Sequence, residues 1–267
     1  MNKNLIPLAL LLAVPACALA DDGWSGTGEL GFAATRGNAK SENLNAKLEF
    51  RKEDETWKDH FYLTALRSKG ESTVSTVVDG EAVSVKNYDL TANRYEGGAS
   101  VGYKLDERSY VVGALRYEND DFSPFEYQAV ASIGYGYTLL KNQHNELSFE
   151  AGPGYKRYQP VDVYGPEMVD GVPVRHRFDA EGQVVGRGLV AYKHNFSENT
   201  AFVDTFLVEA GGDNTFMQND AGLQVAINKS FALKVGYQVR RNSEVAPGLK
   251  RTDQLMTTNL VYNFGAK

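Results

Sequence analysis

From Trp24 to Phe264 apolar and polar side chains take turns one by one, in short runs broken by polar connections. Twelve such runs are present: 24–35, 43–52, 57–67, 88–103, 109–118, 125–139, 146–158, 181–193, 200–210, 216–228, 231–241 and 252–264. In the second, Leu44, Ala46, Leu48 and Phe50 oppose Asn45, Lys47, Glu49 and Arg51; the last reads Gln-x-Met-x-Thr-x-Leu-x-Tyr-x-Phe. A period of two places one kind of side chain on each face of a strand, so the pattern predicts sheet throughout and no helix. The fourth run changes parity near Arg94-Tyr95, as a β-bulge there would produce. In the ninth, Phe202, Asp204, Phe206 and Val208 compete with Ala201, Val203, Thr205 and Leu207, and alternation alone assigns neither set to the apolar face.

The connections alternate strictly between tight and long. Asp54-Glu55 and the stretches 104–108, 140–145, 194–199 and 229–230 are tight; 36–42, 68–87, 119–124, 159–180, 211–215 and 242–251 are longer. Transmembrane barrels show this asymmetry, and an even strand number returns both chain ends to the side of the short turns. Trp24, Trp57, Tyr103, Tyr110, Tyr137, Tyr192, Phe202, Phe231 and Phe264 all fall at run ends beside the tight connections. On a barrel they form an aromatic girdle, because rings with an apolar body and a polar edge settle at the membrane boundary. The fold expected is therefore all-β: a closed, antiparallel, up-and-down transmembrane β-barrel of about 12 strands, the number of runs counted above. A soluble sandwich with an aromatic core is the competing fold.

Composition agrees with export to a membrane. Residues 1–20 carry the lone cation Lys3, an apolar run from Leu5 to Ala16 and then Ala18-Leu19-Ala20. That order describes a secretory signal cleaved after Ala20, leaving 21–267 as one barrel domain. Cys17, the only cysteine, leaves with it. Loss of Lys3 takes the formal charge from −6 to −7, which argues against a nucleic-acid partner, since phosphate recognition needs clustered cations. No apolar stretch long enough for a membrane helix follows the signal. The expected location is the outer membrane of a Gram-negative-type cell, where an unpaired backbone group in lipid costs several kcal/mol and only a closed ring of strands can cross.

The polar face carries the candidate chemistry. Pairing Leu48 with Phe61 and Ala46 with Leu63 across Asp54-Glu55 predicts that Arg51 faces Lys58, Glu49 faces His60 and Lys47 faces Tyr62, all pointing into the barrel. Glu49 and His60 have the makings of an acid–base pair, and equally of a charge ladder filling the lumen. Asp220, Gln224, Lys234, Gln238 and Arg240 form a second inward group. A ring of this size lies between barrels filled by side chains and those that hold a channel, so a pore for small solutes is expected to be narrow or plugged. The loops 68–87 and 159–180 each hold Asp-Gly between valine-rich arms, a hairpin signal, so they are expected to extend the wall. With Arg175-His176-Arg177 they are the candidate surfaces for lipopolysaccharide and other outer-membrane lipids. No zinc, calcium or phosphate-loop spacing appears, so neither cofactor nor metal is expected, and no nucleophile–base pair marks an enzyme.

Gly31-Phe32 followed by Arg36-Gly37-Asn38-Ala39-Lys40-Ser41, the run 97–103 (GGASVGY) and the run 147–155 (LSFEAGPGY) resemble the YdiY-like salt-induced outer-membrane proteins of proteobacteria. The resemblance spans nearly all of the chain after the signal. It implies an outer-membrane barrel inserted by the barrel-assembly machinery, with a role in envelope adjustment to salt and no catalytic residues to carry over. One departure is that Gly265-Ala266-Lys267 follow Phe264, whereas strands of this kind usually stop on the aromatic.

Overall fold

The computed structural model describes residues 23–36, 40–78, 81–169, 172–245 and 250–265. The signal with its cleavage site after Ala20, the Asp-Gly pairs at 79–80 and 170–171, and the last two residues lie outside that set. Twelve strands close into one antiparallel ring: β1 (Trp24–Thr35), β2 (Ser41–Glu53), β3 (Trp57–Val78), β4 (Glu81–Lys104), β5 (Ser109–Asp120), β6 (Phe125–Lys141), β7 (Asn145–Pro160), β10 (Glu181–Asn195), β11 (Thr200–Gly211), β12 (Thr215–Ala226), β13 (Phe231–Asn242) and β14 (Thr252–Gly265). Each pairs with its neighbour in the chain, β7 passes on to β10, and β1 meets β14 to close the ring. Between β7 and β10 lies a separate hairpin of β8 (Val163–Val169) and β9 (Val172–His176).

Alternation is converted directly into two walls. Leu30, Leu63, Leu115, Ile133, Val184 and Met256 stand exposed on the outside, while Glu29, Glu49, Arg116, Glu118, Lys156 and Glu209 are buried inside. A soluble sandwich would invert both sets, since charged side chains are almost never fully buried in water-soluble folds. The inversion, together with closure, makes this a transmembrane barrel. The ambiguous strand is settled by it: Leu207 and Glu209 are buried and Phe206 is exposed, so Phe202, Asp204, Phe206 and Val208 form the outer face of β11.

Three expectations need correction. First, β2 and β3 pair two residues further along than predicted: Leu48 with Leu63, Phe50 with Phe61, Glu49 with Tyr62 and Arg51 with His60. Parity, and hence the inward face, is unchanged. The cause is the Asp54 carboxylate, which accepts from the backbone N–H of Thr56 (2.8 Å) and Trp57 (2.7 Å) and moves the turn to Glu55-Thr56. Asp106, Asn142 and Asn228 cap the same way in three other short turns. Those donated amides hold the Asp54 and Asp106 carboxyls below the usual carboxylate range. Second, the bulge in the β3–β4 ladder is at Thr91, skipped between Ser68–Ala92 and Lys69–Leu90, rather than at Arg94-Tyr95. Third, Tyr110 is buried in the lumen rather than part of the girdle. It shares parity with Arg116 and Glu118, and that parity points inward.

Of the other girdle candidates around the short-turn end, two pairs meet each other, Trp57–Tyr103 and Tyr192–Phe202, and the rest pack on rings outside the predicted set. Trp24 packs on Phe61 (5.7 Å between ring centroids), Trp57 on Tyr103 (5.4 Å), Tyr137 on Phe149 (5.8 Å), Tyr192 on Phe202 (6.5 Å) and Phe231 on Tyr262 (5.2 Å), with Phe264 between Phe50 and Tyr262. At the other end β3 and β4 remain paired from Glu71 to Val78 and from Glu81 to Tyr88, past Ser41–Gly70, the last pair that β3 makes with β2. At 3.4 Å per residue this free hairpin projects about 27 Å, so the loop extends the wall as its turn signal predicts.

Candidate functional site

The lumen has two levels. In the half nearest the long loops a belt of charges crosses it. Arg116 on β5 donates through Nε to Glu209 Oε1 on β11 (2.9 Å), through Nη2 to Oε2 (2.5 Å) and through Nη1 to Glu118 (2.9 Å). Arg240 on β13 donates to the same Glu118 and reaches Asp120 (3.4 Å). β5 and β13 lie six strands apart whichever way the ring is followed, so this chain of side chains spans the lumen from wall to opposite wall. Phe216 is wedged between the two guanidinium groups, 4.8 and 5.0 Å from its ring. Gln128 donates to Glu118 (3.0 Å), Arg94 to Gln238 (2.5 Å) and Tyr62 to Glu96 (2.7 Å). Lys156 Nζ meets no hydrogen-bond acceptor among the described residues and rests over the rings of Phe125 and Tyr158 at 5.2 and 5.8 Å. Bidentate guanidinium–carboxylate pairs in a desolvated site hold geometry strongly, because losing either partner strands the other charge.

A cavity of about 240 Å³ lies at mid-barrel against the belt, walled by Arg116, Glu209 and Gln238 on the long-loop side and by Glu49, Arg51 and His60 on the short-turn side. Glu49 gathers three neighbours there: Lys47 (2.8 Å), Arg51 through Nε (2.6 Å) and His60 Nε2 (2.7 Å). The predicted Glu49–His60 contact is thus present, made diagonally across the shifted register. With two cations already on the same carboxylate, it is one rung of a ladder. Lys58 stands apart, its ammonium 5.0 Å from the Tyr110 ring. Tyr110 donates to Glu150 (3.1 Å), which also takes Arg187 (2.9 Å).

The second predicted group is divided. Arg240 rises into the belt; Lys234 turns to Glu29 (2.7 Å); Gln238 donates to Asp220 (2.6 Å) and links the two levels. Gln224 lies across from Lys234 in the β12–β13 register. Sequence reasoning missed Arg94, Glu96, Arg116, Glu118, Lys156 and Glu209. Parity on β5 exposes Arg116 and Glu118 as inward, and Glu209 was hidden by the ambiguity of its strand.

With a polar lumen, an apolar exterior and this topology on the page, comparison with known proteins adds the family. The model of a family described as "Protein of unknown function, DUF481" matches residues 28–264. The chain belongs to the DUF481 family. A relative within reach of this DUF481 barrel is the uncharacterised protein YdiY of Escherichia coli (strain K12), 27% identical over 92% of this chain and 85% of its own length. Among solved structures, the translocator domain of the autotransporter NalP from Neisseria meningitidis aligns at 12% identity over 96% of this chain and 95% of that one, with a TM-score of 0.49. The NanC porin aligns at 9% identity over 91% of this chain and 99% of its own, with a TM-score of 0.44. The assignment of the barrel rests on the strand pairing itself.

Proposed function

We propose that this chain is exported by residues 1–20, cleaved after Ala20, inserted into the outer membrane by the barrel-assembly machinery, and serves there as a non-conducting barrel that stabilises the envelope. The observation that carries this reading is the Arg240–Glu118–Arg116–Glu209 chain across the lumen. It ties opposite walls together and occupies the axial path that small solutes need. An adjustment of the envelope to salt fits a barrel whose stiffness comes from ion pairs shielded from solvent, because screening weakens exposed pairs far more than buried ones.

A second reading uses the loops. The free β3–β4 hairpin and the exposed His176 and Arg177 face the same side, where lipopolysaccharide phosphates are the natural acceptors. Planar-bilayer recording separates pore from plug. The intact protein is expected to be silent, and Arg116→Ser combined with Glu209→Ser to give stepwise conductance. Deleting 68–87 is expected to leave it silent, since that hairpin lies beyond the belt. Steady conductance of the intact protein overturns the proposal.

A further inference from the structure

Every seam of the ring but one runs for ten or more residue pairs; β1 and β14 share six, from Ser25–Gly265 to Leu30–Leu260. Continuing that register would set Gly31 opposite Asn259 and Thr35 opposite Leu255, and none of those pairs forms. Yet both strands continue in good order on their other sides: Gly31–Thr35 stays paired with β2, and Thr252–Asn259 with β13. The two strands fork. Six residues above Trp24, at 3.4 Å each and a tilt near 40°, the fork opens about 16 Å above the girdle, inside an apolar band of about 25 Å. In that layer the alternate amides and carbonyls facing the gap have no strand to meet.

Side chains mark the fork. Asn259 donates to Glu29 (3.0 Å), Asn45 donates to Asn259 (2.8 Å), and Lys234 completes the group on Glu29. A Cβ on Gly31 would come within 2.2 Å of Asn259 Oδ1 and 2.3 Å of Asn45 Oδ1, so glycine is what lets this polar zipper cross the seam. Outside the gap stand Phe32 and Met256, 69% and 74% exposed. Inside it Leu255, Thr257 and Asn259 line the cavity, and Ala33, inward by alternation, is exposed.

We propose that the fork is a lateral portal for a membrane amphiphile, whose acyl chain lies across Phe32 and Met256 in the bilayer while its headgroup enters the cavity. At about 240 Å³ the cavity is smaller than pockets that enclose whole drug-sized ligands, about 300 Å³ or more, so it takes a headgroup and leaves the chain outside. Cations and carboxylates there are already paired, as Glu29–Lys234 and Lys47–Glu49–Arg51, so a zwitterionic headgroup can exchange with them charge for charge. The belt closes the axial route from the long-loop side, which leaves the fork as the route from the bilayer. The inference needs the barrel but does not depend on whether it conducts.

The test uses the full chain, freed of its signal, in phosphatidylcholine vesicles doped with a diazirine-bearing lysophosphatidylcholine, with adducts mapped by mass spectrometry after irradiation. Adducts are expected on inward Leu255 and Thr257 as well as on outward Met256. Joining the strands through Ala34→Cys with Met256→Cys should reduce the inward adducts at least tenfold and leave adducts on outward Leu260 unchanged, with recovery on reduction. Adducts confined to outward residues, or inward adducts that survive the disulfide, overturn the proposal. Hydrogen exchange needs no variant: the gap-facing amides of 31–35 and 253–259 should exchange at least tenfold faster than those of β5 and β6, and equal protection also overturns it.

Discussion

The two levels of the lumen use the same residue types to different ends. In the long-loop half Arg116, Glu118, Glu209 and Arg240 are each less than 10% exposed and meet partners on distant strands. In the short-turn half Glu49 is as buried, but the side chains of its partners Lys47, Arg51 and His60 are 33%, 65% and 34% exposed, and they come from its own strand or the next one. Burial of both partners turns a charge pair into a structural tie, whereas access to water leaves it a replaceable neighbour.

The largest effect should come from Glu118→Ala, which breaks the link between the walls, leaving Arg116 on Glu209 alone and Arg240, buried, with Asp120 at 3.4 Å. A loss of about 3–5 kcal/mol is expected in guanidinium unfolding of the detergent-solubilised barrel. Glu49→Ala leaves cations that can hydrate, so a loss of about 1 kcal/mol is expected in the same assay, and equal losses would erase the contrast between the levels. Raising salt should shrink the Glu49→Ala effect and leave that of Glu118→Ala nearly unchanged, readable as converging or parallel unfolding midpoints. The smallest effect belongs to the turns. Asp54 and Asp106 titrate below their unfolded values, so their contribution is present above the unfolded carboxylate pKa near 4 and is lost as pH falls through the folded one. Asp54→Asn, which keeps the accepting oxygen, should remove that acid dependence without loosening the turn; Asp54→Ala should do both, as hydrogen exchange at Thr56 and Trp57 would show.

Most of the wall could be read from the chain because alternation is a local property. Leu44 to Arg51 announces its two faces without reference to any other strand, and the Asp-Gly pairs announce hairpins. Register was less legible: Asp54-Glu55 and Glu55-Thr56 both satisfy parity, and only the Asp54 carboxylate, by choosing which amides it accepts, decides between them. The belt was the least legible. That Arg240 meets Glu118 depends on ring closure and on which residues share a height six strands apart, and neither leaves a trace in the residues nearby. Tyr110 shows the same limit from the other side, since an aromatic at a strand end is a girdle residue only if its parity points outward.

The claim that opposite walls are tied through the lumen is tested most directly by a double-mutant cycle of Glu118→Ala and Arg240→Ala, scored by unfolding free energy. If the two side chains meet as described, the double variant should fall short of the summed single losses by about 1–3 kcal/mol. Additivity within about 0.5 kcal/mol, the behaviour of residues that do not touch, would contradict it.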